Sequence, residues 1–396
     1  MTRIICLTTS YPLFETDISG HFVRRLNQIY QYAGYQVTVI CFARDSIDHV
    51  NPLHHCVDDM GIRVITVPII RGSMRGGAPD QISKEPWKSL IYLPINTIRL
   101  WRTFEAEKKR LKNLDGNLKV VAHWSIPNGL IARSSQPIIY CHGGDIAILE
   151  QLPFGRYLAR SIFTQAEKVI CVSDNLKKRI ENLGISLNHS DVIPMGVDEP
   201  KPCHSFKQYL ETIVNDRLVI GTVGRVESIK GYDLLLEALA LLNPDIRKNI
   251  IWLMAGQGSL VKSLIENARL SEVNLKSLGE LKPSERDALL VITDVFVAPS
   301  RSVGKRIEGS PLAIREAALS GCPLVATTMG GVQAILDDLP KEMVYEIEPN
   351  IQQLQSALMR CLNQQIKEEL RQKMINSARK LWTWQALESL HLQMIE

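Results

Sequence analysis

Arg306-Ile-Glu-Gly-Ser-Pro-Leu-Ala-Ile-Arg-Glu-Ala-Ala-Leu-Ser-Gly-Cys-Pro323 is the stretch from which the architecture can be read. It places Glu308 in a turn with Gly309 and Ser310, then Pro311, then a helix that carries Glu316. Proline suits the first helical turn, where its missing N–H costs nothing. Gly321 and Pro323 close the helix, which is expected over 312–320. Apolar runs flank the segment at 295–298 and 324–326, so it reads strand, turn, helix, strand, the unit of a parallel α/β sheet. The opening amides around 310–312 favour an anion. An anion flanked by two carboxylates, each able to accept hydrogen bonds from hydroxyls, describes a sugar nucleotide. Taken alone, the stretch also fits a capped surface helix with ordinary glutamates.

The same alternation recurs upstream. Strands are expected over 218–223 and 250–255, each followed by a glycine turn and a helix. In the first half, strands are expected over 3–7, 37–42, 62–67, 120–123, 138–142 and 168–173, with helices over 21–33 and 175–183. Continuous apolar strands between helices indicate parallel sheets covered on both faces. The periodicity lapses between Pro194 and Asp216, where Pro200 and Pro202 also fall. The expected organisation is an N-terminal, acceptor-side domain over 1–199, a linker over 200–216 and a C-terminal domain over 217–380. A last helix over 381–396 is expected to cross back to the first domain. Ligands of such sheets bind at the carboxyl ends of the strands, so two doubly wound domains would face each other across a cleft.

Those strand ends carry the chemistry. Gly224 lets a ligand approach the backbone, and Arg225 and Lys230 can both reach one diphosphate, as a planar fork and a point charge. Two cations and a helix N-terminus suffice to stabilise a departing diphosphate. With neither an Asp-x-Asp motif nor a His/carboxylate cluster at the strand ends, no metal and no further cofactor are expected. Gly256-Gln-Gly258 lacks the third glycine of a dinucleotide fingerprint, because position 261 is Val. It reads as a tight turn lining the cleft, and speaks against a nicotinamide enzyme. In the first half, His142 ends a buried strand in Tyr140-Cys-His-Gly-Gly-Asp145. It is expected to face the cleft, although a hydrogen-bonded core histidine fits the same position. His123 ends another strand and, with Asp145, is expected on the acceptor side. Gly20 sits in the loop after the first strand, where a side chain would obstruct a ligand.

Bulk properties exclude other classes. A chain of 396 residues exceeds one typical core. The net charge of +4 is mild: residues 1–200 carry 23 Lys and Arg against 19 Asp and Glu, and the remainder 23 of each. With no basic patch interleaved with aromatics, nucleic acid is not an expected partner. The eight cysteines form no C-x-x-C pair, which fits reduced thiols. No leader and no run of about 20 apolar residues are seen, so a cytoplasmic protein is expected, peripheral on the inner face of a membrane at most. Residues 84–112 read as a helix pair with Trp87, Trp101 and Phe104 among eight Lys and Arg and three Asp and Glu. Such a segment suits the surface of an anionic membrane, and its aromatics suit packing on a sheet as well.

The combination Gly-Arg-x4-Lys-Gly, Gly-x-Gly and Glu-x7-Glu within Glu-Gly-Ser-Pro…Ser-Gly-Cys-Pro resembles the retaining glycosyltransferases of family 4, the "glycosyl transferases group 1" class. Val192-Ile-Pro-Met-Gly-Val-Asp198 adds to it, with Met195 where the family has Asn, and Gln333 stands where Glu often follows Gly330-Gly331. The resemblance covers essentially the whole chain. It implies the α/β GT-B fold: two doubly wound Rossmann-like domains with parallel sheets facing across a cleft. It implies transfer of a sugar, with retention and without metal, from a nucleoside-diphosphate sugar to a glycan, lipid-linked or small-molecule acceptor, in bacterial surface polysaccharide or glycolipid assembly. Arg225, Lys230 and the amides around 310–312 would hold the diphosphate, Glu316 the ribose and Glu308 the hydroxyls of the transferred sugar, with Gly309, Ser310, Pro311 and Leu312 all in the donor site. Gly20 would approach the β-phosphate, His142 the reacting carbon and Leu281 the nucleobase. Loops at 71–86 and 301–307 would set specificity. A sugar-nucleotide epimerase of the same fold and a non-catalytic nucleotide-sugar-binding subunit are the alternatives.

Overall fold

The structure, a computed structural model, describes residues 2–13, 20–43, 54–58, 60–69 and 86–396, with the side chains of 54–55 and 86–93 outside that description. The proposed specificity loop at 71–85, and the side chains of Trp87, Ile91 and Tyr92, therefore lie outside the described residues. Two compact units emerge: Met1–Ile193 with Glu388–Glu396, and Pro194–Leu387.

The first unit is built on an eight-stranded sheet. In chain order its strands are β1 (Arg3–Leu7), β2 (Gln36–Phe42), β3 (His54–Val57), β4 (Arg63–Val67), β5 (Leu118–His123), β6 (Ile138–Cys141), β7 (Lys168–Cys171) and β8 (Ser190–Val192). They lie in the order β3-β4-β2-β1-β5-β6-β7-β8, parallel except for β3 against β4. Strands β1, β2, β4 and β6 are apolar along nearly their whole length and buried on both faces, as a helix-covered parallel sheet requires. Order reverses between β1 and β5, which opens a crevice at their carboxyl ends.

The second unit holds six parallel strands: β9 (Leu218–Val223), β10 (Ile250–Ala255), β11 (Leu275–Gly279), β12 (Val295–Ala298), β13 (Leu324–Thr327) and β14 (Val344–Ile347). The order β11-β10-β9-β12-β13-β14 has its switch point between β9 and β12. Trp252, fully buried, centres one core layer and donates its indole N–H to Thr222 Oγ1 at 2.9 Å. A second layer packs the helix Leu312–Leu319 against Phe296, Leu324 and Trp382.

Several expectations need correcting. Residues 200–216 hold a helix, His204–Val214, whose Leu210 is buried in the second unit's core. The helix pair at 84–112 is one helix, Pro86–Lys112, which carries Pro94 without ending. The last helix, expected over 381–396, runs Trp384–Gln393 and follows two others, Ile351–Asn363 and Glu368–Trp382. Strands β3, β8, β11 and β14 carried too little apolar periodicity to be anticipated. Among the described residues no helix is long and apolar enough to cross a membrane.

Candidate active site

In the second unit the switch point gathers the residues from three separate stretches. After β9 the chain turns through Gly224, whose φ of +145° favours glycine, into a short 3-10 turn, Ser228–Lys230. A Cβ on Gly224 would lie 3.2 Å from Lys230 Cε and 3.5 Å from its Nζ. The bare Cα thus leaves the lysine head open to a ligand. Arg301, from the loop after β12, fixes this turn: its Nε donates to Ser228 O at 2.9 Å and its Nη2 pairs with Asp233 Oδ2 at 2.7 Å.

The loop after β12 brings Glu308 to Lys230, with Oε1 2.8 Å from Nζ and both side chains mostly buried. Gly330 and Gly331 secure Glu308 by its backbone. Gly331 N donates to Glu308 O at 3.0 Å, and a Cβ on Gly330 (φ +61°) would lie 2.2 Å from that oxygen. Tyr232, buried beneath, has its hydroxyl pKa raised by burial and then by the Glu308 charge. A recess under the lysine is lined by Lys230, Tyr232, Ser300, Pro311, Ala313 and Ile314.

Pro311 is the N-cap residue, with extended backbone, of the helix Leu312–Leu319. No side chain caps that helix, and the Ser310 Oγ is buried without a partner. Its first amides therefore remain a site for negative charge. One turn on, Glu316 is buried and ion-paired with Arg286, Oε1 to Nη1 at 2.7 Å. Burial opposes the Arg286 charge, but Glu316 and then Asp287 outweigh it and raise its pKa. Arg286 stands in a helix, Pro283–Val291, with no motif around it, which is why sequence reading passed over it.

Arg225 projects from the same turn as Lys230 and is exposed. Gly256 and Gly258 meet neighbouring backbone closely. Their Cβ atoms would lie 1.9 Å from Gly224 O and 2.2 Å from Val226 O, so they let two strand-end turns pack against each other. Leu281 packs, half-buried, beside the cluster of Leu210, Leu253 and Leu289.

In the first unit, Gly20 (φ +71°) opens the helix His21–Tyr32, and a Cβ there would lie 2.3 Å from Ser10 O. Only glycine fits. His142, at the end of β6, meets His123, at the end of β5: Nε2 to Nδ1 is 3.0 Å, and the rings stack at 5.2 Å and 16°. Phe22 and Trp124 flank His142, and Tyr140 stacks under His123 at 4.9 Å. Burial lowers the His142 pKa to about 4, with Asp145 acting the other way. Burial and then His142 lower that of His123 well below the ordinary value. Asp145, expected on the acceptor side, is a brace. Its Oδ1 accepts from His142 N and Gly143 N, and its Oδ2 from Ser125 N and Oγ, at 2.8–3.2 Å. Among the described residues no three His, Cys, Asp or Glu side chains group so as to hold a metal ion.

Two family models match the chain in succession. "Glycosyltransferase Family 4" spans residues 20–200 and "Glycosyl transferases group 1" spans 210–381. The chain is a family 4 glycosyltransferase. An uncharacterized glycosyltransferase of Methanocaldococcus jannaschii is 27% identical over 273 residues, 66% of this chain and 70% of that one. A putative colanic acid biosynthesis glycosyltransferase of Escherichia coli is 28% identical over 205 residues, covering 50% of this chain and 48% of the relative. A GDP-mannose-dependent mannosyltransferase of Corynebacterium glutamicum, which acts on a phosphatidylinositol monomannoside, is 26% identical over 212 residues, 50% and 54%. The last two matches thus span about half of those relatives. Among solved structures, sucrose-phosphate synthase from Thermosynechococcus elongatus aligns over 99% of this glycosyltransferase and 98% of its own chain, at a TM-score of 0.76 and 16% identity. HepE of Anabaena in complex with UDP aligns over 99% of both chains at a TM-score of 0.68 and 16% identity. These neighbours show the GT-B fold.

Proposed function

We propose that this glycosyltransferase moves a sugar from a nucleoside-diphosphate donor, with retention at the anomeric carbon and without a metal, to a glycan or lipid-linked acceptor in surface polysaccharide or glycolipid assembly. The observation that carries the reading is the 2.8 Å Lys230–Glu308 pair beside an uncapped helix N-terminus. It sets a cation for the leaving diphosphate next to a carboxylate for sugar hydroxyls. Each charge neutralises the other until a ligand separates them, so neither is poised as a nucleophile. Glu316, oriented by Arg286, would take the ribose hydroxyls, and Arg225 a second diphosphate contact. His142, in the other unit, keeps the role that the family resemblance implies, a contact with the transferred sugar near the reacting carbon. HepE binds UDP and the corynebacterial relative acts on a lipid; both support the donor and acceptor classes without selecting one for this chain.

For the membrane, support comes from the helix Pro86–Lys112. Ile95, Ile98 and Trp101 are 39%, 50% and 47% exposed, and the neighbouring Arg99 and Arg102 are exposed too, whereas Leu100, Phe104 and Leu111 are buried. Basic and apolar groups on one outward face suit anionic lipid headgroups. The reaction is tested by incubating the protein with UDP- and GDP-sugars and candidate acceptors and reading the product's anomeric proton couplings. Transfer with the donor's anomeric configuration supports the reading. An altered sugar released without an acceptor would mean an epimerase, and binding without turnover a silent subunit.

A further inference from the structure

The histidine pair of the first unit holds a choice of tautomer. Two neutral imidazoles joined Nδ1 to Nε2 share one proton across that bond, and whichever nitrogen gives it fixes the other ring's tautomer. His123 Nδ1 faces His142 Nε2 at 3.0 Å. His123 is fully buried, and its other nitrogen, Nε2, has no partner. Were that Nε2 to carry a proton, a buried N–H donor would be left without an acceptor, an arrangement that folded proteins seldom keep. With the proton on Nδ1, Nε2 presents a lone pair instead, and His123 donates to His142. The groups around the pair agree. Tyr140, stacked on His123, has its hydroxyl engaged by Tyr30 at 3.0 Å and His391 Nδ1 at 3.1 Å, so it leaves His123 Nε2 alone. The Asp145 carboxylate is bonded to the His142 backbone N–H at 3.2 Å, which fixes the backbone that carries the ring and leaves the tautomer to the His123 contact.

We infer that His123 is a positioning residue: by donating its Nδ1–H to His142 Nε2, it holds His142 in the neutral tautomer protonated at Nδ1, so that His142 meets its ligand as a hydrogen-bond donor. Such a group suits the oxygens of a phosphorylated sugar and does not serve as a base. The inference rests on the role given to His142 above. The stack on Tyr140 and the buried setting keep the ring from turning, and the Asn128 Nδ2 donating to His123 O at 2.6 Å fixes the backbone beneath it.

The test is heteronuclear NMR of histidine-labelled full-length protein at neutral pH, together with kinetics of three variants. In the wild type, the His142 signals, assigned by their loss in His142→Ala, should show a protonated Nδ1 and a bare Nε2. His123→Phe keeps the aromatic stack but removes the donor. It should keep the wild-type melting temperature within a few degrees, mix the two His142 tautomers and lower kcat by at least about tenfold, the worth of one hydrogen bond gained in the transition state. KM for the donor should change little. His123→Asn returns an amide donor near the Nδ1 position and should recover most of kcat. A wild-type His142 protonated at Nε2, or a folded His123→Phe with full turnover, would overturn the inference. If His142→Ala itself keeps full turnover, the site reading falls, and the positioning role with it.

Discussion

Replacing Lys230 by alanine separates two roles that one ion pair combines. Lys230 and Glu308 are 2.8 Å apart, with side-chain exposures of 18% and 13%. Removing one partner of a fully buried pair costs about 3–5 kcal/mol. The residual solvent contact here lowers that to roughly 1–2 kcal/mol, since partly exposed pairs are screened. Spread over a unit of this size, that corresponds to a melting-temperature drop of about 2–8 °C. Loss of a group aimed at the leaving diphosphate costs far more in rate, on the order of 100- to 1,000-fold in kcat. Glu308→Ala alone should likewise destabilise by roughly 1–2 kcal/mol, because it leaves the lysine unpaired. The double variant Lys230→Ala/Glu308→Ala then discriminates. Thermal melts should show it more stable than the sum of the single changes predicts, whereas turnover with a nucleoside-diphosphate sugar stays lost. If turnover returns along with stability, or if Lys230→Ala turns over at wild-type rates, the pair is an ordinary structural ion pair and the reasoning fails.

Further outcomes can be checked with the same assays. Gly256→Ala places a Cβ 1.9 Å from Gly224 O at a φ of +133°; a melt should show a loss above about 2 kcal/mol, and donor binding should weaken with it. Glu316→Gln removes the charge that Arg286 pairs with at 2.7 Å and the full acceptor strength offered to a ligand hydroxyl; donor KM should rise roughly tenfold, the cost of a charge-assisted hydrogen bond. Because burial holds the folded His142 near a pKa of about 4, below the unfolded value of about 6.5, the native state binds fewer protons than the unfolded chain between those values. Stability is then full above pH 6.5 and falls as the pH is lowered towards 4. Melts across that window should be less pH-dependent in His142→Phe.

The fold was legible wherever both faces of a strand are buried. Runs such as 3–7 and 250–255 have no other reading, and their glycine turns mark where helices start. Strands β11 and β14 escaped because each lies at a sheet edge and mixes polar with apolar residues, so no periodicity stands out. The linker was misread for a related reason: prolines at 194, 200 and 202 hid the amphipathic helix immediately after them. At the site, Lys230, Glu308 and Glu316 could be named because their spacing within strand-end turns is distinctive. Their partners could not. Arg286 and Arg301 lie in unrelated turns or helices, and only the folded chain brings them within 3 Å of Glu316 and Asp233. Asp145 shows the converse: a carboxylate next to a candidate histidine suggested ligand binding, yet four protein donors already occupy it.

A thermal-shift panel of nucleoside-diphosphate sugars, run in parallel on the wild type and Lys230→Ala, tests the central claim most directly. A donor present at about 100 times its Kd adds roughly 2.7 kcal/mol to the folded state. One donor should therefore raise the wild-type melting temperature by several degrees and leave the variant unmoved. An equal shift in both proteins would contradict the placement of the diphosphate at Lys230, and no shift with any donor would contradict the donor class itself.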